Sequence, residues 1–568
     1  MDRQVFKKSW NERGCSLKPL AMTNIKIAIA QLNYIVGDFE GNTKKILEAR
    51  DKAASEGAEL VVYSELCISG YPPEDLVLRK GFQNQAKEFL DEITKATKEG
   101  PALLVSNPHV EDDKIYNAAF LLAEGEIKHK QYKFDLPNYG VFDEKRVFDA
   151  GKQPKPFEYK GIKFGLMICE DMWHGRVIDS VKTCDILLSV NASPFEVGKH
   201  DKRVKFASAA AKTAGKPLIY VNQICGHDDL VFDGDSFVLS KQGEYLARLS
   251  RHDEEVRVTN WAKGKNGWVC EASEIKTYTG PEQVMYQALM LGLKEYVEKN
   301  NFPGVVLGMS GGIDSALTAA ICVDALGSDK VRLVMMPSRY TSNESLKDAE
   351  ECANALGVTL ENLPIEDIFR AYEDTLAPTF DGKEADLTEE NLQSRIRGAL
   401  LMAISNKFGN MVVATGNKSE MSVGYATLYG DMCGGYSVLK DVYKTQVFEL
   451  AKWRNKGVAE GAKGKKGVVI PKNIITKAPT AELRHEQKDE DSLPPYDVLD
   501  DILDKLIEKS MCVAEAANAG HDIKLVEKVL NMVQRAEYKR RQSPPGVKVS
   551  AKPFGRDRRY PITSGYKG

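Results

Sequence analysis

At 568 residues the chain exceeds what one hydrophobic core ordinarily holds, so more than one compact unit is expected. Its 78 Lys and Arg against 81 Asp and Glu give a net charge of -3, which excludes the global basic field that nucleic-acid binding uses. No apolar run approaches the ~18 residues of a membrane span. The ten cysteines are scattered without CxxC pairs, and 43% hydrophobic content suffices for cores without disulfides, which points to a reducing cytoplasm.

Residues 1–21 mix charges without periodicity, are too polar for a signal peptide, and are expected to form a disordered extension. The first strand signal is Ile25 to Gln31. Thr43 to Glu56 then reads as an amphipathic helix, and Leu60 to Tyr63 and Leu103 to Val105 as buried strands, an alternation that indicates a layered α/β domain. Three positions at strand ends carry chemistry. Glu65 follows the LVVYS strand, Lys133 sits in HKQYKFDLPNYGVFDE, and Cys169 ends the run from Phe164 to Ile168. A thiolate can attack an amide carbonyl, a glutamate can take its proton, and a lysine can stabilise the oxyanion. Taken singly, Cys169 could equally be a small buried hydrophobe and the other two surface charges.

The wording around them decides between these readings. YSELCISGYPPEDL, KFDLPNYGVFDEKRVF, CEDMW and NASPFEVGK together resemble the nitrilase superfamily of carbon–nitrogen hydrolases over about residues 24 to 265. That resemblance implies an αββα sandwich spanning residues 22–265. It makes Glu65 the general base, Lys133 the oxyanion-side lysine, Cys169 the nucleophile and Glu144 the supporting glutamate. Tyr139, Ser193 and Lys199 match positions that bind glutamine in the glutamine-dependent members, so glutamine is the implied amide. Cys67 and Cys225 match no such role and are read as core thiols.

From Glu254 to Pro281 strong periodicity is lost, and Lys263-Gly264-Lys265-Asn266-Gly267 reads as loop, so a linker is expected over residues 266–283. A second domain, 284–568, opens with helical spacing over Gln283 to Lys299. Its centre is VVLGMSGGIDS, residues 305 to 315. Val305 to Leu307 suit a buried strand, and Gly308, Gly311 and Gly312 let the backbone turn toward an anion at the start of the helix from Ala316 to Leu326. It is not a Walker A loop, because Asp314-Ser315 stands where that motif carries Lys-Ser or Lys-Thr. Asp314 offers a carboxylate for magnesium instead. Strands at Val331 to Pro337 and Met411 to Gly416, with helix between them at Ser345 to Leu356, give the rhythm of a doubly wound parallel sheet. Asn391 to Arg397 offers two guanidiniums for phosphates, and Glu420 could share the metal with Asp314.

SGGIDS by itself resembles only the N-type ATP pyrophosphatases, whose sheet is adenine nucleotide alpha hydrolase-like. ENLQSRIRG, TGNKSEMSVGYATLYGD, KDVYKTQ, KAPTAELRHEQKDEDSLPPY and EYKRRQSPPGVKVSAKPFGRDRRYPI narrow the resemblance to the synthetase domain of the glutamine-dependent NAD synthetase family. The resemblance implies that Gly308, Ser310, Gly311, Gly312, Asp314, Ser315 and Thr415 hold ATP. It also implies that Asn391, Glu420 and Lys539 contact deamido-NAD; Lys444 aligns only loosely. The Mg2+ expected at Asp314 and Glu420 rests on their oxygen donors. Both domain types commonly assemble, so a homo-oligomer is expected. Alternatives are an amidotransferase with another carboxylate acceptor, or a non-catalytic nucleotide sensor. Three further expectations concern single stretches. Arg454 to Gly467 reads as a mobile basic loop, Lys477 to Tyr496 by resemblance as a lid over ATP, and the basic tail from Tyr538 to Tyr560 as contacts for the dinucleotide.

Overall fold

The computed structural model describes residues 24–278, 280–485 and 487–566; the extension expected over residues 1–21 lies outside them. In chain order the first half runs β1 (Asn24–Gln31), α1 (Phe39–Ser55), β2 (Leu60–Val62), α2 (Lys80–Ala96), β3 (Ala102–Glu111), β4 (Lys114–Ala123), β5 (Glu126–Tyr132), β6 (Phe157–Tyr159) and β7 (Ile162–Ile168). It continues through α3 (Gly175–Val181), β8 (Ile186–Asn191), α4 (Lys199–Ala214), β9 (Leu218–Asn222), β10 (Ile224–His227), β11 (Leu230–Asp233), β12 (Phe237–Leu239), β13 (Tyr245–Arg248), β14 (Glu255–Gly264) and β15 (Gly267–Cys270).

Two mixed sheets result, ordered β15-β14-β1-β2-β3-β4-β5 and β13-β12-β9-β8-β7-β6. Runs of Ile, Leu and Val bury both faces of the central strands. Ile27, Val62 and Leu104 of one sheet meet Ile168, Leu188 and Val221 of the other in a single core. The outer faces are covered by α1 and α2 on one side and by α3 and α4 on the other. The architecture is the αββα sandwich.

The stretch read as loop departs from expectation. Glu255–Gly264 pairs along its whole first eight residues with β1, from Glu255 opposite Gln31 to Ala262 opposite Asn24, and β15 pairs back on it. The strand is half-polar and its partner lies at the far end of the domain, so local apolar periodicity could not show it. The Asn266-Gly267 pair, at the end of a two-residue connection, was the readable hairpin signal. The connection between the two halves therefore shortens to the residues between Cys270 and Gly280.

The second half opens with α5 (Gly280–Lys299), followed by β16 (Val305–Gly308), α6 (Ile313–Leu326), β17 (Val331–Met335), α7 (Asn343–Leu356), β18 (Leu360–Asn362), α8 (Glu366–Leu376) and α9 (Leu387–Phe408). Then come β19 (Met411–Ala414), α10 (Lys418–Val423), β20 (Tyr436–Ser437) and α11 (Lys444–Lys456). The sheet is ordered β18-β17-β16-β19-β20 and is parallel throughout. The order in which strands are added reverses between β16 and β19, the place where a doubly wound sheet opens a ligand crevice.

Helix α5 is apolar on nearly all sides because it is enclosed by both halves. Its Lys299 Nζ donates to Gly226 O of the β10–β11 hairpin at 2.9 Å, and its Glu295 accepts from Asn33 Nδ2 at 2.7 Å. Gly226 has to be glycine, since a Cβ there would stand 2.7 Å from Glu295 Cβ.

The basic loop after Arg454 is anchored rather than free. The buried Arg454 guanidinium bonds Asp324 of α6 at 2.9 Å and the carbonyls of Lys465, Gly457 and Gly467 at 2.7, 3.2 and 3.2 Å. Tyr286 OH of α5 donates to the other Asp324 oxygen at 2.6 Å. The lysines of the loop obscured this, because the organising charge precedes them. Arg454→Met strands a buried carboxylate and is expected to cost on the order of 3–5 kcal/mol. A urea unfolding midpoint within error of the parent would contradict that assignment.

Candidate active sites

The first site lies where strands of both sheets end. Glu65 follows β2, Lys133 is the residue after β5, and Cys169 is the residue after β7. All three are buried. Lys133 Nζ bonds Glu65 Oε1 at 2.7 Å and Glu144 Oε1 at 2.8 Å, and so joins two carboxylates. Glu65 Oε1 also accepts from Asn117 Nδ2 at 2.7 Å, and its Oε2 accepts from Ala192 N at 3.0 Å. Tyr71 OH donates to Glu144 at 2.8 Å. Cys169 sits at a φ of +48°, a left-handed conformation that a non-glycine residue adopts only when its surroundings impose it.

The electrostatics follow from burial and crowding. Burial, then the Glu65 charge, hold the Cys169 thiol well above its ordinary value, with Lys133 opposing. Burial lowers Lys133 too, but Glu144 and Glu65 outweigh it and keep the ammonium charged. Burial pushes Glu144 up to about 7 against the pull of Lys133. The resting site is therefore a protonated thiol beside a lysine held between two glutamates.

The three positions expected for glutamine surround this centre. Tyr139 is 57% exposed, and its OH donates to Glu170 Oε2 at 2.9 Å. Ser193 lies just past β8, and Lys199 opens α4 with its ammonium 5.5 Å from the centre of the Phe142 ring. Sequence reasoning passed over Glu170 and Asp171, although both stand in CEDMW. Glu170 is the nearly buried carboxylate next to Cys169. Asp171 accepts from Ile168 N at 3.1 Å, Phe134 N at 3.1 Å and Asp135 N at 2.8 Å, which fastens the Cys169 turn to the Lys133 loop. Cys67 and Cys225 are buried away from these bonds, in the adjoining core.

The second site occupies the carboxyl ends of β16 and β19. One cavity of about 180 Å³ is walled by Ser310, Gly312, Asp314, Thr415, Glu420 and Lys444. A second of about 260 Å³ is walled by Gly308, Ser310, Met336, Arg397 and Thr415. Gly311 lies in neither wall; a φ of +79° and the Ser345 carbonyl, 2.4 Å from where a Cβ would stand, require glycine there. Ser315 Oγ donates back to Gly312 O at 3.0 Å and accepts from Ser310 N at 3.2 Å, which sets the loop's shape.

Lys444, only loosely matched by sequence, is central. At the start of α11 its ammonium bonds Asp314 and, at 3.2 Å, Glu420. Asn417 Nδ2 fixes the other Asp314 oxygen at 2.8 Å, and Asn417 Oδ1 caps α10 through Glu420 N at 3.0 Å. Burial pushes Glu420 up to about 8, with Asp314 adding to it and Lys444 opposing.

The remaining expected positions have these partners. Arg395 and Arg397 do not act together, because residues two apart on a helix face different ways. Arg397 reaches the second cavity, while Arg395 is exposed and donates to Leu428 O at 3.3 Å. Asn391 accepts from Thr427 Oγ1 at 2.7 Å, and Lys539 donates to Gly424 O at 2.8 Å and Ala426 O at 2.7 Å. Both hold the 424–431 loop, whose Tyr425, Ala426 and Asp431 line the cavity. The basic tail is largely committed to the protein itself: Arg540 bonds Ser422 O and Glu537, Arg558 bonds Glu537, and Arg556 pairs with Glu74 of the first domain.

The family model described as carbon-nitrogen hydrolase matches residues 26–262, and the one described as NAD synthase matches residues 285–543. The chain is 43% identical over 550 residues to the glutamine-dependent NAD(+) synthetase of Acinetobacter baylyi, covering 96% of this chain and 99% of that one. It is 42% identical over 580 residues to the enzyme of the same name from Thermotoga maritima, covering 96% and 100%. Among solved structures, the glutamine-dependent NAD+ synthetase from Acinetobacter baumannii in complex with ADP superposes with a TM-score of 0.77 at 42% identity, over 96% of this chain and 99% of that chain. With both domains matched, and matched in one order along nearly its whole length, the chain belongs to the glutamine-dependent NAD(+) synthetases, ligases that form a carbon–nitrogen bond with glutamine as amide donor.

Proposed function

We propose a division of labour between the two sites. At the first, Cys169 Sγ attacks the side-chain amide carbon of glutamine while its proton passes to Glu65, since the raised thiol has no standing thiolate. Lys133 stabilises the developing oxyanion, and Glu144 keeps Lys133 charged and in place. Return of the proton to the nitrogen releases ammonia and leaves a thioester, which water, with Glu65 again as base, hydrolyses to glutamate. Glu170 and Lys199 supply opposite charges for the two ends of an amino acid, with Tyr139 and Ser193 beside them.

At the second site, the carboxylate of deamido-NAD attacks the α-phosphorus of ATP and pyrophosphate leaves. Ammonia then attacks the acyl carbon, AMP leaves, and NAD results. The loop from Gly308 to Ser315 and the α6 N-terminus face the phosphates. Two carboxylates already gripping one cation, the Lys444 ammonium, fit magnesium, a hard ion that takes one or two carboxylates with phosphate oxygens. Asp314 and Glu420 would hold it, and when bound it spreads phosphate charge.

The observation that carries this reading is a series of adjoining cavities between the sites. A cavity at Tyr71 and Glu144 shares Val141 and Leu230 with the next, which shares Asp229 and Lys440 with a third, which shares Ser543 with the synthetase cavity. This series is the proposed route by which ammonia reaches the synthetase cavity without passing through bulk water. The test is NAD formation from deamido-NAD, ATP and magnesium with glutamine or ammonium in parallel. Product from both supports the division; product from ammonium alone removes the triad assignment.

The 477–496 segment acts as the lid. Glu482 Oε1 accepts from Ser342 Oγ at 2.7 Å and Ser345 Oγ at 2.8 Å, and Pro479, Ala481 and Leu483 wall the two cavities. Saturating ATP is expected to slow proteolysis there; an unchanged cleavage rate would count against a lid.

A further inference from the structure

Arg203 has no part in the chemistry above, yet it is among the most completely buried large side chains of the molecule. It lies on α4 one turn after Lys199, on the same face of the helix. All its bonds but one go to a single turn: Nε to Ser193 Oγ at 3.1 Å, Nη2 to Ser193 O at 2.7 Å and to Pro194 O at 2.9 Å. The remaining bond is Nη1 to Asp233 Oδ1 at 2.7 Å, at the end of β11. The same turn supplies Ala192 N to Glu65 Oε2 at 3.0 Å, and Ser193 N donates to Asn222 at 2.9 Å.

An arginine fork only donates, so Ser193 Oγ is the acceptor in this pair and its own proton is turned away from Arg203. The planar fork reaches a hydroxyl, two carbonyls and a carboxylate at once, which a lysine cannot do. Asp233 in turn belongs to the hairpin that packs against α5. Through it the turn is held from the side of the synthetase half.

We propose that Arg203 is a positioning residue for glutamine, locking the Ser193 turn and the Lys199 end of α4 into one unit against Asp233. The proposal rests on the assignment of the pocket beside Cys169 to glutamine. A second consequence is electrostatic. Burial and then the Arg203 charge push Lys199 down to about 8, with Lys548 adding to this and Glu196 and Cys169 opposing it. Lys199 is therefore charged below about pH 8 and loses its hold on a carboxylate above it. In the parent enzyme the KM for glutamine should rise as pH passes that value.

The test is steady-state NAD formation by the full chain and its Arg203→Met, Arg203→Lys and Arg203→Met/Asp233→Asn variants, with glutamine and with ammonium. Arg203→Met should raise the KM for glutamine about tenfold or more, since a displaced binding group costs on that scale. Ammonium-driven turnover should stay unchanged. Arg203→Lys should recover only part of the loss. The pH at which the glutamine KM begins to rise should move upward in Arg203→Met and stay in place in Arg203→Lys, which keeps the charge; a purely structural role would leave it unmoved in both. If Arg203→Met also loses ammonium-driven turnover, the fold is damaged. The double variant, which leaves no unpaired buried carboxylate at 233, then decides together with Arg203→Lys. An unchanged glutamine KM and an unmoved pH break in variants that still use ammonium overturn the proposal. Cys169→Ala tests the underlying pocket separately: if it still forms NAD from glutamine, the pocket assignment fails and the proposal falls with it, whereas failure of the Arg203 variants alone overturns only the role of Arg203.

Discussion

Cys169→Ala is expected to lose NAD formation from glutamine by at least about 10³-fold while formation from ammonium stays within about twofold. The first effect follows from the thiol that, among the described residues, stands beside the Glu65–Lys133–Glu144 cluster. In the proposed mechanism, without it the amide carbon meets no nucleophile, and the lysine between its two glutamates has no oxyanion to stabilise. The second effect follows from position. Cys169 ends a strand of the first domain, and none of its atoms lines the cavity of Asp314 and Glu420. Measured with both nitrogen sources on one preparation, the ratio of the two rates reports the division directly. Loss of ammonium use by a folded Cys169→Ala enzyme would contradict it.

Asp314→Ala should behave in the opposite way and fall by about 10²–10³-fold with either nitrogen source. In the proposed mechanism adenylation precedes any use of ammonia, so both routes share it. Asp314 stands in the first turn of α6, directly after the glycine loop, fixed by Asn417 and bonded to Lys444. Its removal takes away one of the two oxygen donors proposed for magnesium. It also frees Lys444, whose ammonium is held well above its ordinary value by Asp314 and Glu420 in spite of burial. A variant that kept ammonium-driven turnover while losing glutamine use would assign Asp314 to signalling between the sites instead. ATP–pyrophosphate exchange driven by deamido-NAD separates the two.

What could be read from the sequence was what is local. The loop from Gly308 to Ser315 announces itself because three glycines interrupt an apolar strand, and that strand and the helix after it lie within a few residues of their expected bounds. Cys169 was legible as the residue ending a buried run. The pairings that complete the sites and anchor the loop after Arg454 were not, because each joins distant parts of the chain. Arg203 with Asp233, Lys444 with Asp314 and Arg454 with Asp324 carry no spacing that a linear reading can use. The tail from Tyr538 to Tyr560 is a related case. Its charge density suggested a bound dinucleotide, but counting charges cannot tell a ligand from Glu537 and Glu74. The strand at Glu255–Gly264 escaped for a related reason, since its longest pairing is with the first strand of the domain.

The central claim is that nitrogen passes from Cys169 to the Gly308 loop inside the protein. The direct measurement is NAD formation with amide-15N glutamine in the presence of a large excess of unlabelled ammonium at neutral pH, followed by mass spectrometry of the NAD. The account predicts that the product carries mainly the glutamine label, because ammonia released beside Glu144 meets the acyl adenylate before it meets bulk water. Label diluted in proportion to the free ammonium would show that the two sites exchange nitrogen through solvent, and the adjoining cavities would then have no part in the reaction.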